Sequence, residues 1–162
     1  MQLDKVYQAM IEFYGGDPKR IQHFVKVHSF AALIGRQEGL DERTQFILET
    51  TAYVHDIGIK PAMEKYGSGA GPYQEKEGEI CSRELLEKLG LEKAVVDRVS
   101  YIVGHHHTYT DIDGLDYQIL VEADFLVNLF EGNQSREAMQ SAYETIFKTE
   151  CGRKIMRVMF AL

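Results

Sequence analysis

Between residues 18 and 57 the chain carries two long runs of helical apolar spacing, broken only by Gly39-Leu40-Asp41. A break that short turns consecutive helices back on one another, so the two runs must form an antiparallel hairpin. Asp17-Pro18 supplies an N-cap and a first-turn proline for the first run, which reaches about Gln37. Gly39 ends it, and Asp41 caps the second run, which continues to Ile57-Gly58. Counted from Leu40, His23 lies 17 residues back and His55 lies 15 forward. At ~1.5 Å per residue their imidazoles differ in height by only ~3 Å. His23, Val27 and Ala31 follow at i, i+4 and i+8 along an apolar stripe, so His23 can face the second helix.

The remaining chain reads as helix throughout. Val6, Met10, Phe13 and Tyr14 place an amphipathic helix over 3–14, ended by Gly15-Gly16. A short helical turn near Pro61 to Tyr66 precedes the flexible run Gly67-Ser68-Gly69-Ala70-Gly71-Pro72. That run lacks the Gly-Lys-Ser/Thr of a phosphate-binding loop. Helices are expected over 73–89 and 92–106, separated by Gly90-Leu91, then over 116–131, 134–147 and 153–162, with a polar loop over 108–115. Asp111, Asp113 and Gly114 do not make a calcium loop, because the glycine that an EF-hand places at its sixth position would fall on Asp116. No segment alternates with period two. The expectation is one all-α domain over 1–162, a bundle of about seven to eight helices, with its core at 18–130 and C-terminal helices at 131–162 packing on it.

A hydrophobic share of 44% and a charged share of 27% are those of a folded globular protein. The net charge of -7 argues against nonspecific nucleic-acid binding, which needs a positive field. A small anionic substrate stays compatible, since a bound metal reverses the field locally. The two cysteines, Cys81 and Cys151, form no Cys-x-x-Cys pattern. No apolar run approaches the ~20 residues of a membrane span. A cytoplasmic location without membrane contact is therefore expected, with homo-oligomerisation left open.

His55 and Asp56 set an imidazole and a carboxylate side by side at a helix end, where they can hold a divalent metal or where His55 can simply cap the helix. Asp124 interrupts the apolar pattern of Ile119, Leu120, Ala123, Leu126 and Val127. Either the helix turns that carboxylate to solvent, or a partner holds it inside, because an unpaired buried carboxylate is costly. His23 taken alone reads equally as a hydrogen-bonded core histidine.

Arg20-Ile21-x-His23, then His55-Asp56-Ile57-Gly58, then Asp124 resemble, in that order, the HD superfamily of metal-dependent phosphohydrolases over residues 18–130. The resemblance implies an HD-type bundle in which His23, His55, Asp56 and Asp124 hold one divalent transition metal, whether iron, manganese, nickel, cobalt or zinc. Ile102-x-x-His105-His106 resembles the pair that holds a second metal in binuclear members, so His105 and His106 are candidates as second-site ligands or phosphate contacts. Gln74 stands where those members place a further histidine, and the Gly-Tyr-Pro of cyclic-dinucleotide phosphodiesterases is missing after Asp113-Gly114. Asp56 is the candidate for orienting or deprotonating the attacking water. Lys60 and Arg20 are candidates for neutralising a phosphate, with solvated side chains as the alternative. His28, ~140° round the helix from His23, is expected outside the cluster. Tyr101, Tyr109, Tyr117 and Phe125 fit either a base pocket or the core. The implied activity is hydrolysis of a small phosphorylated metabolite, a nucleotide above all. The alternatives are a phosphodiesterase, a di-iron oxygenase, or a non-catalytic nucleotide-binding regulatory module.

Overall fold

The computed structural model describes residues 1–162 and consists of nine α-helices without a strand. These are α1 (Gln2–Phe13), α2 (Pro18–Gln37), α3 (Glu42–Val54), α4 (Ile59–Tyr66), α5 (Gly71–Lys88), α6 (Lys93–Val103), α7 (Leu115–Glu131), α8 (Arg136–Thr145) and α9 (Glu150–Phe160). The helical turn expected near Pro61 is a full helix of 8 residues, closed by Gly67 in the left-handed region at φ 67°. Asp17 and Asp41 cap α2 and α3 as expected, accepting from the backbone N–H of Arg20 and Thr44. The last helix begins earlier than the sequence pattern indicates, because the Thr149 hydroxyl caps it by accepting from Gly152 N–H.

α3 is the axis of the packing. It contacts α1, α2, α6 and α7, and it buries Leu48, Ala52 and Val54 completely. A helix covered on so many sides needs apolar residues around most of its circumference, which is why α3 shows little amphipathic contrast in sequence. α7 closes the other side with Ile119, Leu120, Ala123 and Leu126 fully buried. α8 and α9 lie outside α7, and α9 also reaches α2. The Glu122 carboxylate, itself inaccessible to solvent, fastens this outer pair. It accepts from the backbone N–H groups of Lys148 and Thr149 at 3.0 Å each and from the Thr149 hydroxyl at 2.7 Å. No helix is long and apolar enough to cross a membrane.

The α6–α7 connection is held at two points. Arg98 reaches both Asp113 and Asp116 through paired N–H donors at 2.8–3.2 Å. The Tyr117 hydroxyl donates to the carbonyls of His105 and Thr108.

The turn after α3 is fixed by close backbone contact. A Cβ added at Gly58 would stand 2.1 Å from the Gln74 carbonyl oxygen and 2.5 Å from the Gly78 nitrogen. Those are backbone atoms of α5, which cannot yield without lifting the helix away. Gly58→Ala is expected to destabilise the fold by about 1–3 kcal/mol. In thermal unfolding followed by circular dichroism the midpoint should drop by about 3–10 °C. An unchanged midpoint would show that α5 has room to move.

Candidate metal centre

Three helices bring four ligand atoms to one point. His23 projects from the second turn of α2, His55 and Asp56 follow the last residue of α3, and Asp124 lies in the middle of α7. The hairpin sets the first two histidines level, with their Nε2 atoms 3.2 Å apart. His23 Nε2 lies 3.2 Å from Asp56 Oδ2 and 3.2 Å from Asp124 Oδ1, and His55 Nε2 lies 3.4 Å from each of the same oxygens. All four residues are at most 5% exposed.

The histidine tautomers follow from their other nitrogens. His55 Nδ1 sits 2.7 Å from the Ala52 carbonyl, and His23 Nδ1 sits 2.6 Å from Glu131 Oε1. Both acceptors require Nδ1–H, so in the neutral rings both Nε2 lone pairs point inward and face each other. That arrangement is repulsive unless a proton or a cation stands between them. Asp124 Oδ1 is buried without an aligned donor despite its short contacts, as expected of atoms disposed about a common point. Two imidazole nitrogens, each close to the same two carboxylate oxygens, are the donor types that divalent metals take. The donor set therefore fits a divalent transition metal.

Electrostatics point the same way. Burial opposes the charged form of every member, and the partners overcome it. The His23 ring is pushed up to about 9, against the desolvation that would lower it, by the carboxylates of Asp124 and Asp56 close beside it. His55 is likewise held well above the ordinary histidine range by the two carboxylates, again against burial. Asp56 and Asp124 are held below the usual carboxylate range, Asp56 by His55, His106 and His23 and Asp124 by His55 and His23. The site is built for positive charge, which protons supply when a metal does not.

A second group adjoins the first through Asp56. Its Oδ1 lies 3.4 Å from His106 Nε2, and Asp56, His106 and His107 each offer a ligand atom within 4.8 Å of the others. His106 Nδ1 donates to the Val103 carbonyl at 2.7 Å, again leaving Nε2 turned inward. The Nε2 atoms of His106 and His107 and the Gln74 Oε1 are all buried without a hydrogen-bond partner. Burial and the neighbouring His106 pull the His107 ring down to about 4, so it is neutral and available.

The sequence pattern selects His105 and His106 for this side, whereas the structure brings in His106 and His107. The reason is local. α6 ends at Val103, and residues 104–107 form turns instead of continuing the helix, so helical spacing no longer sets ring direction. His105 lies at the surface, stacked on Tyr101 at 4.1 Å, with Nδ1 bonded to the Tyr101 carbonyl.

Arg20 enters the site, its Nη1 3.1 Å from Asp56 Oδ2. Lys60 does not reach the cluster. Its ammonium lies over the Phe13 ring, 5.2 Å from the centroid, and contacts the Phe13 carbonyl at 3.4 Å. Both cations line a cavity of 370 Å³ beside the centre, with Asp17 and Glu64 opposite. His28 is outside the cluster, paired with Glu49 and stacked on Tyr53. Tyr117 is core, and Tyr109 packs against Phe125.

Two supporting residues escape a reading based on motifs. Glu131 orients His23 and is itself paired with Lys26 at 2.7 Å. The signal was present: Glu131 follows Asp124 by seven residues, two turns along the same face of α7. The Tyr14 hydroxyl donates to the Asp56 carbonyl at 2.7 Å and so ties α1 to the centre. Nothing local in the sequence announces that contact.

The family model for the HD domain matches residues 20–149. No curated protein matches the chain. Among solved structures, the crystal structure of a predicted HD superfamily hydrolase from an uncultured Thermotogales bacterium superposes with a TM-score of 0.71 at 23% identity, over 98% of this chain and 84% of that one. At that identity the likeness speaks for the fold. The family match spans most of the chain and contains every residue of the ligand cluster, and the chain belongs to the HD domain family.

Proposed function

We propose that the protein is a metal-dependent phosphohydrolase acting in the cytoplasm on a phosphate ester or anhydride of a small molecule, a nucleotide first among them. The observation that carries this reading is the pair of buried imidazole nitrogens of His23 and His55, 3.2 Å apart and each 3.2–3.4 Å from a carboxylate oxygen of Asp56 and of Asp124, beside the guanidinium of Arg20. His23, His55, Asp56 and Asp124 would hold the divalent metal, which when bound supplies a Lewis acid and a water whose pKa falls to ~7.

The chain's own groups then divide the work. Asp56 uses Oδ2 toward the cluster and has Oδ1 on the other side, near His106, where it orients the attacking water and takes its proton. The water oxygen bonds to phosphorus as the bond to the leaving oxygen breaks. Arg20, already 3.1 Å from Asp56, neutralises the phosphoryl oxygens as charge builds on them. Tyr14 and Glu131 keep Asp56 and His23 in place while this happens.

A second reading follows from the unpartnered atoms of His106, His107 and Gln74. Asp56, His106 and His107 would offer a second cation site, which would suit a diesterase or, with iron, an oxygenase. Its donor set has no carboxylate of its own besides Asp56 and is the weaker of the two.

Metal analysis of purified protein tests both readings. About one equivalent per chain is expected to bind tightly and to be lost in Asp124→Ala, with phosphatase turnover falling at least about a hundredfold. A second, weaker equivalent that disappears in His107→Ala while the first persists would favour the two-metal centre. Protein that binds no divalent ion after reconstitution sinks the mechanism.

Glu131→Ala should weaken metal binding about 10–100-fold, through loss of the group that fixes the His23 tautomer. Equal affinity in variant and native protein would reduce Glu131 to a surface ion pair with Lys26.

Metal affinity should also depend on pH. His23, raised to about 9, and His55, raised well above 6.5, must both lose a proton to bind. Apparent affinity is therefore expected to climb between pH 6.5 and about 9, by up to about a hundredfold per unit when both rings release protons. The metal-free fold should behave oppositely. A raised histidine pKa gives stability that is complete below 6.5 and lost as pH rises through about 9. Chelator competition and thermal melts across this range check the two signs, and a flat affinity profile contradicts the assignment of His23 and His55.

A further inference from the structure

Two cavities have walls that include residues of the centre or their neighbours in sequence, and they differ in charge. The 370 Å³ cavity beside Arg20 and Lys60 has ionic walls. The other, of 470 Å³, lies between α7, α8 and the loop before α7, and none of its ten lining residues carries a charge. Its wall comes close to the ligands along the chain. Phe125 follows Asp124 directly, and Tyr109 is two residues beyond His107. Asn128 stands one turn after Asp124, ~40° round α7 and so on nearly the same face. That face also carries Glu131, which bonds His23, so the exposed Asn128 amide lies between two residues that touch the cluster.

The wall chemistry is specific. The rings of Tyr109 and Phe125 meet at 66° with centroids 5.2 Å apart, forming a corner. A flat ring stacked on one of them meets the other edge-on, the two favourable aromatic geometries together. The amides of Asn128 and Gln134 each offer a donor and an acceptor, and Ser141 and Thr145 add hydroxyls. The volume falls within the ~300–1,000 Å³ of small-molecule sites. Uncharged walls give nothing to an anion, whereas Arg20 and a bound metal do. A phosphate therefore belongs at the centre, and the neutral remainder of the same molecule belongs here. The larger 650 Å³ groove between α2 and α9, walled by Phe30, Leu33 and Lys154 among others, includes no neighbour of the centre.

We infer that the cavity between α7 and α8 binds the heterocyclic base of a nucleoside phosphate, with Tyr109 and Phe125 stacking on the ring and Asn128 and Gln134 bonding to its polar edge. This rests on the hydrolase reading for the phosphate alone. The ring itself is recognised by groups that take no part in the chemistry, and the two claims separate in experiment.

The test titrates adenosine, guanosine, cytidine and uridine, which lack phosphate, into native protein, Ser141→Phe and Asn128→Leu. Both substituted positions are exposed, so the fold tolerates them, and a circular dichroism melt checks that it does. The phenyl ring at 141 fills the cavity, and leucine at 128 removes the polar edge. At least one nucleoside should bind native protein and bind each variant about tenfold or more weakly. No binding by native protein, or equal binding by both variants, overturns the inference. Phosphate release from the matching 5′-monophosphates and from ribose 5-phosphate is measured alongside. The preference for nucleotide over ribose 5-phosphate should fall about tenfold in Ser141→Phe. If metal-loaded native protein releases phosphate from none of them, the hydrolase reading fails, and the nucleoside titration still decides the cavity.

Discussion

Two carboxylates and two imidazoles share a dry space at the meeting of α2, α3 and α7, and the rest of the structure is arranged so that they can. Each of these groups alone would cost several kcal/mol to bury in charged form. Together they offset one another, because every ligand atom has an opposite partner at 3.2–3.4 Å. The arrangement links three helices distant in sequence, so it also sets their relative height and rotation. A shift of α7 by one residue would turn Asp124 through ~100° and leave its partners unbalanced. The outward bonds reinforce the same register: Glu131 holds His23, the Ala52 carbonyl holds His55, and Tyr14 holds the backbone of Asp56.

Asp56 is the residue on which the two sides of the centre differ. One oxygen faces the imidazoles of His23 and His55, and the other faces His106 beside His107. The first set is complete and charged. The second has no carboxylate beyond the one it shares with the first, so it holds a cation less firmly.

Much of this was legible in the sequence, and the reasons are physical. The short break at Gly39-Leu40 fixed the hairpin, and with a fixed helical rise the levels of His23 and His55 followed by counting. Asp124 was marked by its apolar neighbours, although spacing alone left open whether it faced inward. The histidine run was harder. Helical spacing extends to residue 106 only if α6 does, and α6 stops at Val103. Past that point ring direction is set by turns, by the Tyr117 anchor and by the stack of His105 on Tyr101. None of those has a local signal. Gln74 reads as a poor ligand from its chemistry, and nothing local in the sequence shows that its amide oxygen is buried without a hydrogen-bond partner. Tyr14 and Glu122 act across 42 and about 27 residues of chain, a separation that no motif encodes.

Glu122 shows how far the site depends on residues remote from it. The cavity beside Asp124 has α7 for one wall and α8 for the other, and α8 is joined to the core through its connection to α9. That connection is fixed at Lys148 and Thr149 by the Glu122 carboxylate, which lies ~60° round α7 from Phe125 and ~160° from Asp124. A Cβ at Gly152 would collide with the same carboxylate, at 1.9 Å from Oε1, so the start of α9 is pinned as well. The distance between α7 and α8, and with it the width of the cavity, is thus set by a buried acid that touches neither cation nor ligand. The ligand cluster ties α2, α3 and α7 together, while the Glu122 latch ties α7 to the connection between α8 and α9.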